Sequence, residues 1–331
     1  MRVFVTGGSG FVGQHMVRHL VSHGHEVSAL ARTDRAADLV GSAGAAPVRG
    51  DLMELVGTDR QPQWTSTLTH TDVVVHGAAY MEFWGPDEVF RQANLRPSVA
   101  LHQVAASAGV KRFVLISAAS VASGSQRAPI VDEQIDEGRP NIAYSRVKLA
   151  TERILLGAST PTMTTVALRP PYVWGAGMTT VAQFAAAVEA GSFTWIDHGK
   201  HIVDFVHVGN LANAARLALT RGRAGSVYYI TDGTPMPIRD FFTALLATQG
   251  VDMSRVRSVP YALAAPLGAV LDAGARLLRH PRPPMLTNWI TTFMGRDRSY
   301  DITAAVAELG YTPEVTFADG LAEMSRAGNN V

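Results

Sequence analysis

Tyr144 and Lys148 stand four residues apart in "AYSRVKLATERILL" (143–156), a stretch whose pattern predicts a helix. That spacing sets both side chains on one helix face. A free phenol has a pKa near ~10. A neighbouring ammonium favours the phenolate and lowers that value. Such a pair can move a proton near neutral pH while a carbon centre takes or gives hydride. A second group of residues supplies a place for the hydride carrier. "TGGSGFVG" (6–13) follows an apolar strand pattern and opens a helical one, with Gly7, Gly10 and Gly13 spaced by three around Phe11 and Val12. One glycine permits a tight turn, the next lets a pyrophosphate approach the backbone, and the last lets helix and strand pack closely. Free N–H groups at the helix start suit phosphate. The stretch predicts a dinucleotide site rather than a merely structural turn.

The end of the second strand pattern bears on which nucleotide. An acidic residue there would hold the ribose 2′-hydroxyl of NAD and repel a 2′-phosphate. The sequence reads "LARTDR" (30–35), with Ala31 at the expected acidic position and Arg32 after it. Guanidinium pairs well with phosphate oxygens, so NADP is expected ahead of NAD, with Arg35 assisting. Asp51 either accepts from the adenine amino group, with Leu52 packing on the ring, or caps a helix.

These residues need a frame to hold them. Seven short β-rich runs recur, at 2–6, 26–31, 46–51, 72–79, 112–117, 164–168 and 227–231, with helical patterns between most of them. Near-continuous apolar strands alternating with helices imply a parallel sheet covered on both faces. Right-handed crossovers then give an α/β fold, a Rossmann-type doubly wound parallel sheet. After about residue 168 the pattern becomes Pro- and Gly-rich. "DFVHVGNLANAARLAL" (204–219) and "VYYIT" (227–231) read as a return to the sheet. The expectation is a dinucleotide-binding domain at 1–167 and 204–231. A smaller, discontinuous α/β substrate-binding domain is expected at 168–203 and 232–331.

Composition narrows the classes. The chain has 331 residues, 47% hydrophobic, and a net charge of +1, which gives no nucleic-acid footprint. It has no cysteine, which excludes disulfides and cysteine-ligated metal and fits a reducing, cytoplasmic location. A strand pattern starts at Arg2, leaving no room for a signal peptide. "YALAAPLGAVLDAGARLL" (261–278) is too short and interrupted to span a bilayer. It is expected as an amphipathic helix over the core rather than a membrane-surface element. His15, His19 and His23 are four apart, but a solvated helix face is expected there, and no metal site. His198, His201 and His207 receive no role.

The sequence resembles the extended short-chain dehydrogenase/reductase family, closest to its 3β-hydroxysteroid dehydrogenase-like and dihydroflavonol reductase-like branch. The resemblance covers nearly the whole chain. It rests on TGGSGFVG, "GDL" (50–52), "HGAA" (76–79), Asn94, "GVKRFVLIS" (109–117), "YSRVK" (144–148), "RPPYVWGAG" (169–177), "DFVHVGNLANA" (204–214), "YYITDGTPMPIRDFF" (228–242) and "LGYTP" (309–313). It implies Tyr144 as general acid/base, and Lys148 as the ligand of the nicotinamide ribose that tunes it. Ala78, Pro171 and Val173, matched by position, would touch the cofactor. The family also places two adjacent hydroxyl residues at the end of the strand 112–117, the second holding the reacting oxygen. Here the pair reads Ser117-Ala118. Strand neighbours face opposite sides, so Ser117 substitutes only if the backbone turns there, while Ser120 lies beyond the strand and would reach back. Ser123 is a further hydroxyl in the same stretch. A substitute serine, an altered chemistry and an introduced Ser→Ala change all remain open.

The loop "AAYMEFWGP" (78–86) follows the fourth strand pattern and would face the nicotinamide. Tyr80, Phe83 and Trp84, with Tyr172 and Trp174, are expected to form an aromatic wall for a substrate with a hydrophobic body, such as a steroid, terpenoid, polyketide or flavonoid alcohol. No basic cluster suits a sugar-nucleotide pyrophosphate. The expected activity is an NADP-dependent exchange of secondary alcohol and ketone. The alternatives are an NAD-dependent 3β-hydroxysteroid dehydrogenase/isomerase and a catalytically impaired cofactor-binding protein. A homodimer is expected from the family habit of pairing sheet-flanking helices.

Overall fold

All seven β-rich runs pair in one parallel sheet: β1 (Arg2–Thr6), β2 (Glu26–Ala31), β3 (Ala46–Arg49), β4 (Val73–His76), β5 (Arg112–Ile116), β6 (Thr164–Arg169) and β7 (Val227–Tyr229). The order is β7-β6-β5-β4-β1-β2-β3. The computed structural model describes residues 1–57, 61–122, 130–131, 140–278 and 280–328; Ser123 lies outside them. Strand alternation divides the core between two faces. Val3, Val5, Val75, Val114 and Ile116 pack with Met16, Val17 and Leu20 of the first helix (Phe11–Ser22). Phe4, Val74, Phe113 and Leu115 pack with Leu101, Ala105 and Leu155 on the other side. The strand order reverses between β1 and β4. A crevice therefore opens at the carboxyl ends of those strands, where nucleotides bind in such sheets.

The 204–207 run does not rejoin this sheet. Phe205–His207 pairs in parallel with Tyr172–Trp174 as a separate two-stranded sheet. Asp232 and Phe241 hold it there. The Asp232 carboxylate accepts from the His207 backbone N–H (2.8 Å) and from Trp174 Nε1 (2.9 Å). Phe205 stacks on Phe241 with ring centroids 3.4 Å apart. The segment thereby joins a second core built on Trp174, Trp195, Phe241, Phe242 and Leu245. Val206 and the helix Val208–Leu217 face the sheet core instead, and so do Ala305, Leu309 and Tyr311 near the end of the chain.

Two helix faces differ from expectation. His15 is half-buried and its Nε2 lies 2.9 Å from the Ala176 carbonyl, so only Arg18, Ser22 and His23 keep that face solvated. Among the described residues no group of three or more potential metal ligands converges. The 261–278 stretch does form a helix, Tyr261–Leu277, but it buries only Ala264, Gly268 and Asp272 and turns its large apolar residues outward. Gly268 explains this: a Cβ there would meet Thr291 Cγ2 at 2.9 Å, so the close contact needs the small-residue side inward. Among the described residues, no helix is long and apolar enough to cross a membrane.

Candidate active site

The β1 turn forms a cradle with no space for side chains. Gly7 has φ +75°, and a Cβ on it would lie 2.7 Å from the Ala78 nitrogen. A Cβ on Gly13 would lie 1.9 Å from the Gly7 carbonyl oxygen. Gly10 is exposed at the N-cap of the first helix, no side chain caps that end, and no acidic residue sits in its first turn. Phe11 and Val12 follow, each half-buried. Open N–H groups and a positive helix end suit a pyrophosphate. Ala78 donates its N–H to Thr6 Oγ1 (3.3 Å), and Thr6 is itself within 2.6 Å of His76 Nδ1. These bonds join the ends of β1 and β4 at the crevice. The residues present fit a dinucleotide.

At the far end of the cradle, Arg32, Arg49, Gly50, Asp51, Glu54, Gln63 and Trp64 line a cavity of about 310 Å³. Arg32 is largely exposed and lies 3.9 Å from Asp51. Asp51 caps its own turn, accepting from Met53 N–H (2.9 Å), while Glu54 accepts from Asp51 N–H (3.1 Å). Of the two readings of Asp51, the cap is therefore the one seen. Leu52 begins that turn and packs on the sheet core. Nothing local in the sequence marks Gln63 and Trp64 as lining this cavity. A Cβ on Gly50 would strike the Trp64 ring at 2.2 Å, which is why a glycine is needed there.

Tyr144 and Lys148 both lie on the helix Ala143–Gly157 and both are buried. A buried bidentate pair between Arg169 and Glu152 anchors this helix to β6, and Arg169 also donates to Tyr229 Oη (3.2 Å). The sequence suggests that Lys148 acidifies the phenol, but the structure shows the reverse tendency. Burial pushes the Tyr144 phenol up to about 12. Lys148 Nζ donates instead to the Ile116 carbonyl (2.7 Å). Burial lowers Lys148 to about 8, and the charge of Glu152 one turn on partly opposes this. Lys148 thus keeps its three donor hydrogens below about pH 8 and loses its charge above it. Since kcat/KM reports the free enzyme, kcat/KM for the nucleotide is expected to fall as pH rises through about 8. A Lys148→Met variant is expected to lose that limb and lower the plateau. A wild-type profile that stays flat through this pH would remove Lys148 from nucleotide binding.

β5 ends at Ile116, and two backbone bonds follow it. Ser117 N–H donates to Leu168 O (2.7 Å) and Ala119 N–H to Pro170 O (2.8 Å), before a 3-10 turn at Ala119–Ala122. Bonds two residues apart have the spacing of a strand, in which neighbouring side chains point to opposite sides. Ala118 packs against the cluster of Phe90, Ile142, Ala143, Tyr144 and Val147. Ala118 thus stands beside the Tyr144 cluster, and the 3-10 turn begins two residues after Ser117. Ser117 Oγ is buried without a hydrogen-bond partner among the described residues. Ser145 Oγ donates to Ser120 Oγ (2.8 Å), which ties Ser120 to the residue after Tyr144.

The aromatic wall is divided. Phe83, 44% exposed, sets its edge against Tyr144 (centroids 6.4 Å apart) and stacks on Trp289 at 4.3 Å. Tyr80 is exposed beside Phe90, and both its backbone groups bond to Asn94 (2.7 and 3.0 Å). Trp84 Nε1 donates to the His280 carbonyl (3.0 Å), and the Arg276 guanidinium lies 4.4 Å above the Trp84 ring. Tyr172 packs among Phe205, Phe241, Phe242 and Phe293, and burial raises its phenol. Trp174 is fully buried with its indole bound to Asp232, so it belongs to the second core and not to a surface wall. Pro171 and Val173 are half-buried on either side of Tyr172. Trp289 carries no mark in the sequence: it lies in a short helix (Asn288–Met294), and nothing local links it to Phe83.

Comparison with known proteins agrees with this geometry. Residues 3–231 match the NAD dependent epimerase/dehydratase family. A 4-hydroxy-2-methyl-3-oxo-4-farnesyl-3,4-dihydroquinoline-1-oxide ketoreductase from Stigmatella aurantiaca is 34% identical, over 99% of this chain and 97% of the relative. A 2-alkyl-3-oxoalkanoate reductase from Stenotrophomonas maltophilia is 31% identical, over 97% of each. The solved UDP-glucose 4-epimerase of Thermotoga maritima superimposes with a TM-score of 0.75 at 20% identity, covering 100% of this chain and 99% of that one. The chain belongs to the NAD dependent epimerase/dehydratase family and is an enzyme of the extended short-chain dehydrogenase/reductase type.

Proposed function

We propose that this chain is an NADP-dependent oxidoreductase that interconverts a secondary alcohol and a ketone on a hydrophobic substrate, with Tyr144 as general acid/base. The observation that carries the reading is the Tyr144 phenol held against the Phe83–Trp289 aromatic pair. A bound nicotinamide supplies or takes the hydride. Tyr144 Oη gives its proton to the carbonyl oxygen in reduction. A phenol held up to about 12 is fully protonated at neutral pH, which is the form reduction needs. Gly7, Gly10 and Gly13 leave room for the pyrophosphate, and Ala78, Pro171 and Val173 flank the redox end. Residues 1–167 and 204–231 hold the nucleotide, while 168–203 and 232–331 carry most of the substrate side. The relatives named above as ketoreductase and oxoalkanoate reductase, one acting on a farnesyl-bearing compound, support a ketone with a long apolar body.

The test is NADPH consumption against a panel of steroid, terpenoid and long-chain keto compounds. Consumption with none of them, together with no affinity for either pyridine nucleotide, overturns the reading. Arg32 supports NADP over NAD because it is largely exposed in the cavity and Ala31 brings no competing acid. Arg32→Ala is expected to weaken NADPH binding roughly ten- to a hundredfold, the loss of one charge-assisted contact, with NADH little changed. Equal loss for both nucleotides in titration would refute the 2′-phosphate role. A second reading, a nucleotide-binding protein of slow turnover, has one specific observation behind it, the alanine at 118 in the Tyr144 cluster.

A further inference from the structure

We propose that the outward face of the Tyr261–Leu277 helix docks on an anionic lipid surface, placing the substrate mouth against the membrane. Leu263, Leu267, Val270, Leu271 and Leu277 lie along one stripe of that helix, and all are exposed, Val270 by 69% and Leu277 by 85%. The next residue, Leu278, is exposed as well, and so is Met285 in the following Pro-rich loop (82%). A helix resting on a core in water turns its large apolar residues inward. This one does the opposite, burying Ala264, Gly268 and Asp272. A contiguous exposed apolar face of this kind marks an interaction site.

Charge selects the occupant. Between residues 261 and 296 the only acidic residue is Asp272, which is buried and paired with Arg276 at 2.8 Å. At and past the end of the stripe come Arg276, Arg279, His280 and Arg282, while Arg296 packs on Tyr261 at the start of the helix and is followed by Asp297. An apolar stripe that runs into basic residues suits acyl chains beneath anionic headgroups. A second copy on a two-fold axis would bring an equally basic segment to the same patch.

The stripe also continues into the candidate active site. Its C-terminal end holds Trp84 through the His280 carbonyl and the Arg276 guanidinium. Phe83, next in the chain, faces Tyr144. Met81, in the same loop, is 62% exposed. A hydrophobic ketone could therefore pass from lipid to the phenol along an apolar route. The purpose of the docking rests on the hydrophobic-substrate reading, whereas the docking itself does not.

The test is flotation of the full chain with phosphatidylcholine vesicles, with and without phosphatidylglycerol, beside turnover of a water-soluble ketone without vesicles. The wild type is expected to float with the anionic vesicles, less so at high salt and less so with phosphatidylcholine alone. A Leu267→Gln/Val270→Gln double variant is expected to partition at least about tenfold more weakly, because two apolar side chains no longer enter lipid, with soluble turnover unchanged. The proposal is overturned if the wild type stays in the aqueous fraction with both vesicles, or if the double variant floats as well as the wild type. It is also overturned if light scattering shows a wild-type dimer that the double variant dissociates while neither floats, since the face then belongs to a second copy. Flotation without turnover on any ketone would overturn the functional reading and leave the docking intact.

Discussion

Tyr144→Phe is expected to lower kcat for ketone reduction by about 10²–10⁴-fold, the usual contribution of a positioned proton donor. NADPH affinity is expected to stay nearly unchanged. The substitution removes one oxygen from a ring already packed between Phe83 and Phe90. Tyr144 is one of the buried residues of that cluster, so the ring itself will keep its place. The phenol makes no hydrogen bond among the described residues that the helix needs, and the anchor of Arg169 on Glu152 lies two turns away. Nucleotide titration and circular dichroism of the variant will separate lost chemistry from lost fold. Undiminished kcat would exclude Tyr144 as the acid.

Ala118→Ser is expected to raise kcat by up to roughly a hundredfold, the order of the loss seen when one donor to a developing oxyanion is removed. The side chain at 118 already packs with Tyr144, so a hydroxyl there enters the region where the reacting oxygen meets the phenol. Ser117→Ala is expected to change kcat little, because alternation turns Ser117 to the other side of the strand. Its buried hydroxyl has no partner to lose among the described residues. The two variants measured together are decisive. A loss at 117 with no gain at 118 would reverse the assignment made from the backbone. No gain at 118 with nucleotide still bound would favour the slow, nucleotide-binding reading.

The parallel sheet was legible because its central strands, buried on both faces, read as near-continuous apolar runs, and each of the seven runs found a place in it. The glycine turn was legible because close backbone approach admits no other residue, as Gly13 against Gly7 shows. Other features depend on tertiary contact. A helical period tells which residues of 261–278 share a face, but the core took the small face because Gly268 must meet Thr291. Tyr144 and Lys148 share a helix face as their spacing implies, yet the Ile116 carbonyl claims the ammonium. The bonds that bear on how Ser117 and Ala118 are presented run to Leu168 and Pro170, about fifty residues on in the chain. Phe83 and Trp289 meet from distant parts of the chain, and neither marks the other in the sequence.

That last pairing bears on how such an enzyme diversifies. The glycines that admit the nucleotide lie at the very start of the chain, whereas the ring stacked on Phe83 comes from a short helix near its end. On the proposed reading, exchanges at Phe83, Trp289 and their neighbours reshape what the enzyme accepts while redox chemistry is inherited intact. New specificities would arise by reworking two distant patches in concert, a route open to directed evolution as much as to natural descent.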